Sequence, residues 1–517
     1  MSSADLEDTA AEEVSADSET ATAMPAPGKT TGVRGLWGVV QRRFGAGALA
    51  FVVVAGLFGA LFSVVTPPFW GHDEITQFGR AFQVAHGGFA PHKIPDDRGV
   101  AYGGQISVSI DAEMDYAFRD YNHKPDEPDP IVVDPSAYDA LGAQPVSKQT
   151  KTMWFTNTAA YSPVPYIPAA VAIRTAQALD LNVGATVELT RLADLLAYLV
   201  IVGFALRSLR GYRVQWLAFT VSVLPIALFQ AGTVTADTVT NALAILVSCL
   251  LVKGLFLGAK LTRPELVAAL GATVLLPLCK PTYLLLAMLT VVIPANRYGL
   301  RGWRRWIPWG FAALGAGLFA VWMKQAAPTG DGMGLMRPAA QWHSVRPSDQ
   351  LHHILSDPFQ FTGTFFDSVW LRDQRWFTQF FGELGFAYVD VPALSIVACL
   401  LALAVSVGVA ERMSWSPATR TRTWIVALTV AASVAMIYVT LYMSFSPVDY
   451  YLIDGVQGRY FVPLAIAFFA VLLRWMPLRL SDARGKIPTV GPAVTVVAAS
   501  VFALSAALLK YNYFVWG

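Results

Sequence analysis

The sequence predicts an all-α polytopic membrane protein with about eleven transmembrane helices, taking roughly 20 apolar residues as one crossing. Three observations predict it. Of 517 residues, 55% are hydrophobic and 14% charged, against about 25% charged in soluble domains. Long apolar runs recur along the chain, and mean hydropathy is +0.47. Short connections rich in arginine and lysine alternate with longer ones that hold every histidine. This composition excludes a soluble protein with a single anchor. The formal net charge of +2 is uninformative in itself, and no nucleic-acid partner is expected.

The elements follow in order. Residues 1–33 carry Asp5, Glu7, Asp8, Glu12, Glu13, Asp17 and Glu19 among Ala, Ser and Thr, without an aromatic residue. That predicts a disordered acidic tail, not a signal peptide, which would start basic and turn apolar. Arg34, Arg42 and Arg43 then flank the first span. The polytopic domain is 34–517, with spans at 45–65, 189–207, 214–231, 236–257, 265–279, 281–296, 307–324, 391–410, 423–444, 459–476 and 490–509. With the N-terminus cytoplasmic, the connections 208–213 (Arg210, Arg213), 258–264 (Lys260, Arg263), 297–306 (Arg297, Arg301, Arg304, Arg305), 411–422 (Arg412, Arg420, Arg422) and 477–489 (Arg479, Arg484, Lys486) fall inside. This is the arrangement the positive-inside rule requires.

Two segments decide the parity. Segment 161–181 is apolar but interrupted by Pro163, Pro165, Pro168 and Arg174. Counted as a span, it would put every later basic connection outside, so it reads as interfacial or re-entrant. Residues 265–296 are broken at Lys280-Pro281 and must cross twice, with Lys280 near the outer surface. Two large outer loops result, 67–188 after the first span and 325–390 before the eighth, and all seven histidines lie in them. The expected location is the plasma (inner) membrane, with the active face extracytoplasmic. Cys249, Cys279 and Cys399 sit in apolar runs and read as small buried hydrophobes.

Candidate functional residues cluster at the predicted membrane edge. Trp70-Gly71-His72-Asp73-Glu74 follows the first span directly. Ionisable groups are costly beside hydrocarbon and are retained there for a purpose. Residues 72–86 read as an amphipathic helix with Ile75, Phe78, Phe82 and Ala85 as its apolar stripe. Asp73, Gln77 and Arg80 share another face, and Asp73 and Glu74 occupy the first turn. They read either as a positioned catalytic carboxylate or as ordinary helix-start acids with one surface ion pair. Asp237 opens a span, where it or Thr235 caps the helix. Arg191 and Asp194 read as mutual partners.

Lys280 lies in apolar sequence and needs a partner, either a carboxylate such as Asp237 or a ligand phosphate. Arg459, before Tyr460 on the outer side, runs against the inward bias of basic residues. Its planar fork suits a phosphate; the alternative is snorkelling to headgroups. Trp342, Trp370, Trp376 and the Phe-rich stretch 365–386 predict an interfacial aromatic helix. The spacing of His72-Asp73-Glu74 is not that of a zinc helix. No metal site and no certain cofactor are expected, with a divalent cation left open.

Several strings follow one another along the chain: Pro67-Pro68 with Asp73-Glu74 and Arg80-Ala-Phe-Gln-Val-Ala-His-Gly87; Tyr161-Ser-Pro-Val-Pro-Tyr166; Thr235-Ala-Asp237; Lys280-Pro-Thr-Tyr283; Phe381-Gly-Glu-Leu-Gly-Phe386; and Gln457-Gly-Arg459-Tyr460. The ordered set resembles a family of bacterial predicted membrane proteins of unknown function, from residue 45 to the last span. In layout that family is similar to the GT-C superfamily of glycosyltransferases. The resemblance implies a GT-C-like fold and inverting transfer from a polyprenyl-phosphate-sugar donor to a cell-envelope glycan, lipid or protein acceptor, in contact with membrane lipid. On that reading Asp73 is the base, with Glu74 second. Lys280, Arg459 and Arg80 face the donor phosphate, and Asp237, His72, Gln77, Arg191 and Tyr460 support the site. His72 departs from the commonest opening, where proline or a small residue precedes the acidic pair. Two other classes stay open: a flippase for a lipid-linked intermediate, with charges near the midplane, and a non-catalytic envelope-assembly protein.

Overall fold

The computed structural model describes residues 43–122, 131–386, 388–411, 417–475, 479–481, 486 and 488–517. The predicted acidic tail 1–33, with Arg34, Arg42, His123, Arg412 and Arg484, lies outside the described residues.

The first span is α1 (Ala46–Val65). Thr66-Pro67-Pro68 ends it, because proline has no N–H and cannot continue a helix. α2 (Glu74–Ala85) follows. A small antiparallel sheet comes next, β1 (Lys93–Ile94), β2 (Ala101–Ser107) and β3 (Thr150–Trp154) in the order β1-β2-β3. Gly103 pairs with Trp154 and Lys93 with Tyr102. α3 (Val108–Asn122) and α4 (Pro135–Gly142) lie between β2 and β3. The expected loop 67–188 is therefore largely a folded layer. Segment 161–181 becomes α5 (Ile167–Ala178), 12 residues long. At 1.5 Å per residue it spans about 18 Å, too short to cross. It packs on α2 and on the long second span, α6 (Val183–Ser208).

The remaining α-helices of five or more residues are α7 (Gln215–Ser222), α8 (Pro225–Ala231), α9 (Ala236–Leu251), α10 (Arg263–Cys279), α11 (Leu284–Met288), α12 (Ile307–Ala326), α13 (Pro347–Ser356), α14 (Pro358–Phe381), α15 (Ala393–Val409), α16 (Pro417–Phe445), α17 (Val462–Trp475) and α18 (Val490–Trp516). The protein is a helical polytopic membrane protein. Among the described residues, seven helices are long and apolar enough to cross a membrane. The stretch containing α9 is the most enclosed of them, with 94% of its apolar window buried.

Four expected spans take a shorter or broken form. Residues 214–231 are α7 and α8, parted before Pro225. Residues 265–279 and 391–410 are the 17-residue helices α10 and α15. Residues 281–296 are short helical turns around α11. Broken backbone is tolerated at membrane depth where protein surrounds it, and every residue of α7 and α8 is buried. Gly232, just after α8, permits this packing: a Cβ there would come within 2.6 Å of the Gly59 carbonyl oxygen on α1.

Basic connections 258–264 and 297–306 meet through the Leu261 N–H, which donates to the Arg297 carbonyl at 2.8 Å. The opposite end of α10 meets the start of α9 through Lys280 and Asp237 and the turn before α17 through Lys280 and Tyr460. α14 carries the Phe-rich run; Phe359, Phe366 and Trp370 stand exposed, while Trp376 is buried and donates to the Val456 carbonyl at 2.9 Å. All three cysteines are buried and free.

Candidate functional site

The turn after α1 is closed by one carboxylate. Glu74 accepts hydrogen bonds from the Gly71 N–H at 2.9 Å and the Val234 N–H at 3.0 Å. It also receives Arg191 Nε at 2.8 Å and Nη2 at 2.7 Å. The remaining guanidinium hydrogens reach the carbonyls of Ser63, Thr66 and Pro67 at 2.8 to 2.9 Å. Neither side chain has solvent exposure. The expected pairing of Arg191 with Asp194 is corrected here. The end of α1 offers carbonyls without helical partners, and Glu74 offers a two-pronged anionic acceptor; together they claim the guanidinium.

That closure leaves Asp73 outside the first turn, in the left-handed region at φ 55, ψ 19, where the sequence placed it inside the helix. Phe69 (φ 65) and Tyr388 (φ 56) beside it also have positive φ. A non-glycine residue in this region costs about 1–2 kcal/mol, less for aspartate. Such strain collects at functional sites. The Asp73 side chain is 31% exposed, and its Oδ2 lies 3.4 Å from Arg459 Nη2.

Two buried cations complete the cluster. Lys280, where Pro281 interrupts the chain, forms an ion pair with Asp237. Of its two expected partners, the carboxylate is the one it touches. Its ammonium sits 4.8 Å from the Tyr460 ring centroid and 5.6 Å from that of Tyr161, within cation–π range. Arg459 Nε lies 3.8 Å from Asp237 Oδ2. Arg459 is 6% exposed, yet its Nε and Nη1 make no hydrogen bond. Thr235 caps α9, accepting from the Asp237 N–H at 3.3 Å. The Asp237 carboxylate is thus left to the cations and to Gln230 Nε2 at 2.8 Å. Asp73, Arg459, Asp237 and Lys280 form one connected chain of charges, and its Asp73–Arg459 link joins residues 386 positions apart.

A family model described as "Predicted membrane protein (DUF2142)" matches residues 57–468. The chain belongs to this family. Comparison with curated proteins gives no match. Two solved structures of ArnT from Cupriavidus metallidurans are similar. The apo form shares 14% identity over 93% of this chain and 78% of that chain, with a TM-score of 0.40. The form bound to undecaprenyl phosphate shares 12% identity over 90% and 77%, with a TM-score of 0.37.

The other residues singled out in this DUF2142 chain take different places. Arg80 does not face Asp73, because Asp73 stands outside the helical register. Its guanidinium donates to the carbonyls of Gly88 (2.9 Å), Phe89 (2.6 Å) and Tyr161 (3.1 Å) and to the Gln83 side chain. Burial lowers its pKa to about 10, so it stays charged at neutral pH. Gln77 accepts from the Tyr166 hydroxyl at 2.5 Å and the Ala236 N–H at 3.3 Å, tying α2 to α9. His72 is buried edge-on to Phe229 at 5.6 Å, with Nδ1 unbonded. Burial, then the Arg459 charge, holds it well below the ordinary imidazole pKa, so it is neutral. Burial also pushes the nearby Tyr161 and Tyr388 hydroxyls up to about 12.

Sequence reasoning assigned no role to Gln230, Asn241 or Gln379. Asn241 Nδ2 donates to Gln230 Oε1 at 3.0 Å, aiming the Gln230 amide at Asp237. Gln379 accepts from the Gly458 N–H at 2.9 Å and donates to Glu383 at 2.8 Å, holding the Arg459 loop against α14. The available signal was a polar amide inside or beside an apolar run. Among the described residues, no group of three or more His, Cys, Asp or Glu is arranged to hold a metal ion.

Proposed function

We propose that this DUF2142 protein is a GT-C-like membrane glycosyltransferase. It moves a sugar from a polyprenyl-phosphate-linked donor to a hydroxyl of a cell-envelope acceptor, at the extracytoplasmic face of the plasma membrane. The observation that carries the reading is the junction of one accessible carboxylate with two buried cations at the ends of α9, α10 and α17. Asp73 takes the acceptor proton as the hydroxyl oxygen attacks the anomeric carbon. The bond from that carbon to the phosphate oxygen breaks with inversion, and its electron pair leaves on the phosphate. Lys280 and the two unengaged donors of Arg459 meet that developing charge. Asp237 keeps both cations in place. Glu74 shapes the turn, since it is sealed and fully bonded. A flippase reading draws instead on the chain break at Lys280-Pro281, since broken helices carry the sites of lipid and solute carriers.

The test is transfer by purified protein from radiolabelled polyprenyl-phosphate sugars to envelope acceptors. Wild type should transfer sugar with inversion and release lipid phosphate. Arg459→Lys, which keeps the charge and loses the planar fork, should weaken donor use far more than acceptor use. No transfer from any donor, together with lipid scrambling in vesicles, would assign the flippase class instead.

A further inference from the structure

A cavity of about 840 Å³ is lined by none of the four residues of the charge cluster. It is walled by the C-terminal part of α2, the β2–β3 face, the segment before β3 and the end of α5. Its volume falls within the roughly 300–1,000 Å³ of small-ligand sites. The transferase reading gives it no role.

Its lining has a definite chemistry. Phe82 and His86 pack with ring centroids 4.3 Å apart and 31° between planes; Phe82 is buried behind His86, whose exposed imidazole is the ring on the lining. His86 Nδ1 lies 2.8 Å from the Phe82 carbonyl, and its Nε2 lies 3.2 Å from Gln177 Nε2. The carbonyl requires a proton on Nδ1, so Nε2 accepts from the Gln177 amide. Gln105 stands exposed on β2, its amide nitrogen 3.0 Å from Thr152 Oγ1. That amide keeps a carbonyl oxygen and a second N–H for a ligand. Lys148 and Asp180 are exposed on the lining with opposite charges. A polyanion would call for several cations, and an acyl chain for a lining without exposed charges or amides among its apolar groups. An amide with a free donor and acceptor, one exposed charge of each sign, an exposed imidazole and apolar groups between them fit a hydroxyl-rich chain whose sugar faces are apolar and whose edges are polar.

We infer that this cavity binds a neutral oligosaccharide, the non-reacting part of the acceptor glycan. The acceptor role rests on the transferase reading; the binding itself does not. One helix joins the two places. Asp73 directly precedes α2, while His86 directly follows it, 12 helical residues away. That length is about 18 Å, so a ligand touching both is a chain of several sugars.

The experiment applies the purified full-length protein to a printed array of neutral and anionic bacterial-envelope oligosaccharides graded in length. Gln105→Ala and Lys148→Ala, both at exposed positions, serve as variants. Wild type should bind neutral chains more tightly as they lengthen, and each variant should weaken binding about tenfold, the scale of one lost hydrogen-bonding side chain. In transfer assays both should raise the acceptor KM and leave the donor KM unchanged. No binding to any neutral chain, a preference for anionic ones, or unchanged binding in both variants overturns the inference. Array binding that the variants abolish, in a protein that transfers no sugar, supports the cavity and refutes the transferase. Transfer with unaltered acceptor KM in both variants refutes the cavity and leaves the transferase standing.

Discussion

Asp73→Asn and Glu74→Gln change adjacent carboxylates by the same chemistry, and they should fail in opposite ways. Asparagine is isosteric with aspartate and tolerates the left-handed region that Asp73 occupies. The contact it weakens, 3.4 Å to Arg459, is partly exposed. The Asn variant should therefore insert and melt like wild type. Losing a general base removes about 10²–10⁴ in rate, or about 2.7–5.4 kcal/mol of barrier lowering. Glu74→Gln removes the charge from a pair with no solvent exposure on either side. Arg191 is then left buried among carbonyls with the partly exposed Glu188 at 3.3 Å as its nearest remaining carboxylate. Breaking one partner of a buried pair costs about 3–5 kcal/mol, so this variant should lose stability first. The assays are melting of detergent-purified protein and initial rates of sugar transfer. A stable Glu74→Gln protein without activity, or an Asp73→Asn protein with full activity, would refute the assignment.

Other outcomes follow from the same contacts. Lys280→Ala takes the nearest cation from the buried Asp237 carboxylate, leaving it Gln230 and the more distant Arg459, and should destabilise by about 3–5 kcal/mol; adding Asp237→Asn should recover part of the melting temperature but not transfer. Gly458→Ala should cut transfer by roughly 100-fold, the effect of an ångström-scale misplacement, because the new Cβ meets main-chain atoms of Trp376 and Phe380 and displaces Arg459. Burial raises the Glu113 carboxyl on α3 from 4.5 to about 7. Since the folded chain holds that proton to higher pH than the unfolded chain, its stabilising contribution is full below 4.5 and lost as pH climbs through about 7. Glu113→Gln should flatten the melting temperature across that window, read by thermal scans at stepped pH.

The charged groups of the cluster were legible because each stands where an apolar run ends, and charge parity put those ends on one side. Their contacts were not legible. The link from Asp73 to Arg459 joins residues 386 positions apart, and no local pattern encodes it. Arg191 was misassigned because helical spacing favours Asp194, whereas the deciding acceptors are the last carbonyls of α1 and a carboxylate 117 residues away. Residues 214–231 read as one span because hydropathy registers apolarity and not the break at Pro225, which surrounding protein tolerates. The sheet escaped notice because β1 has two residues and β2 carries two adjacent glycines. Strands so short and small leave little alternation to detect.

The pairing of Lys280 and Arg459 with Asp237 and Asp73 bears on turnover. Two anions balance two cations, so the resting site has no net formal charge. In the proposed reaction the donor is a phosphodiester with one negative charge. The released lipid phosphate is a monoester of about −1.5 to −2. Bare cations would hold that product more tightly than the donor and stall the cycle. Asp237, already in contact with both cations, competes for them at every turn, and Asp73 joins it once its proton is lost, so in the proposed cycle the spent carrier leaves as the ion pairs close again.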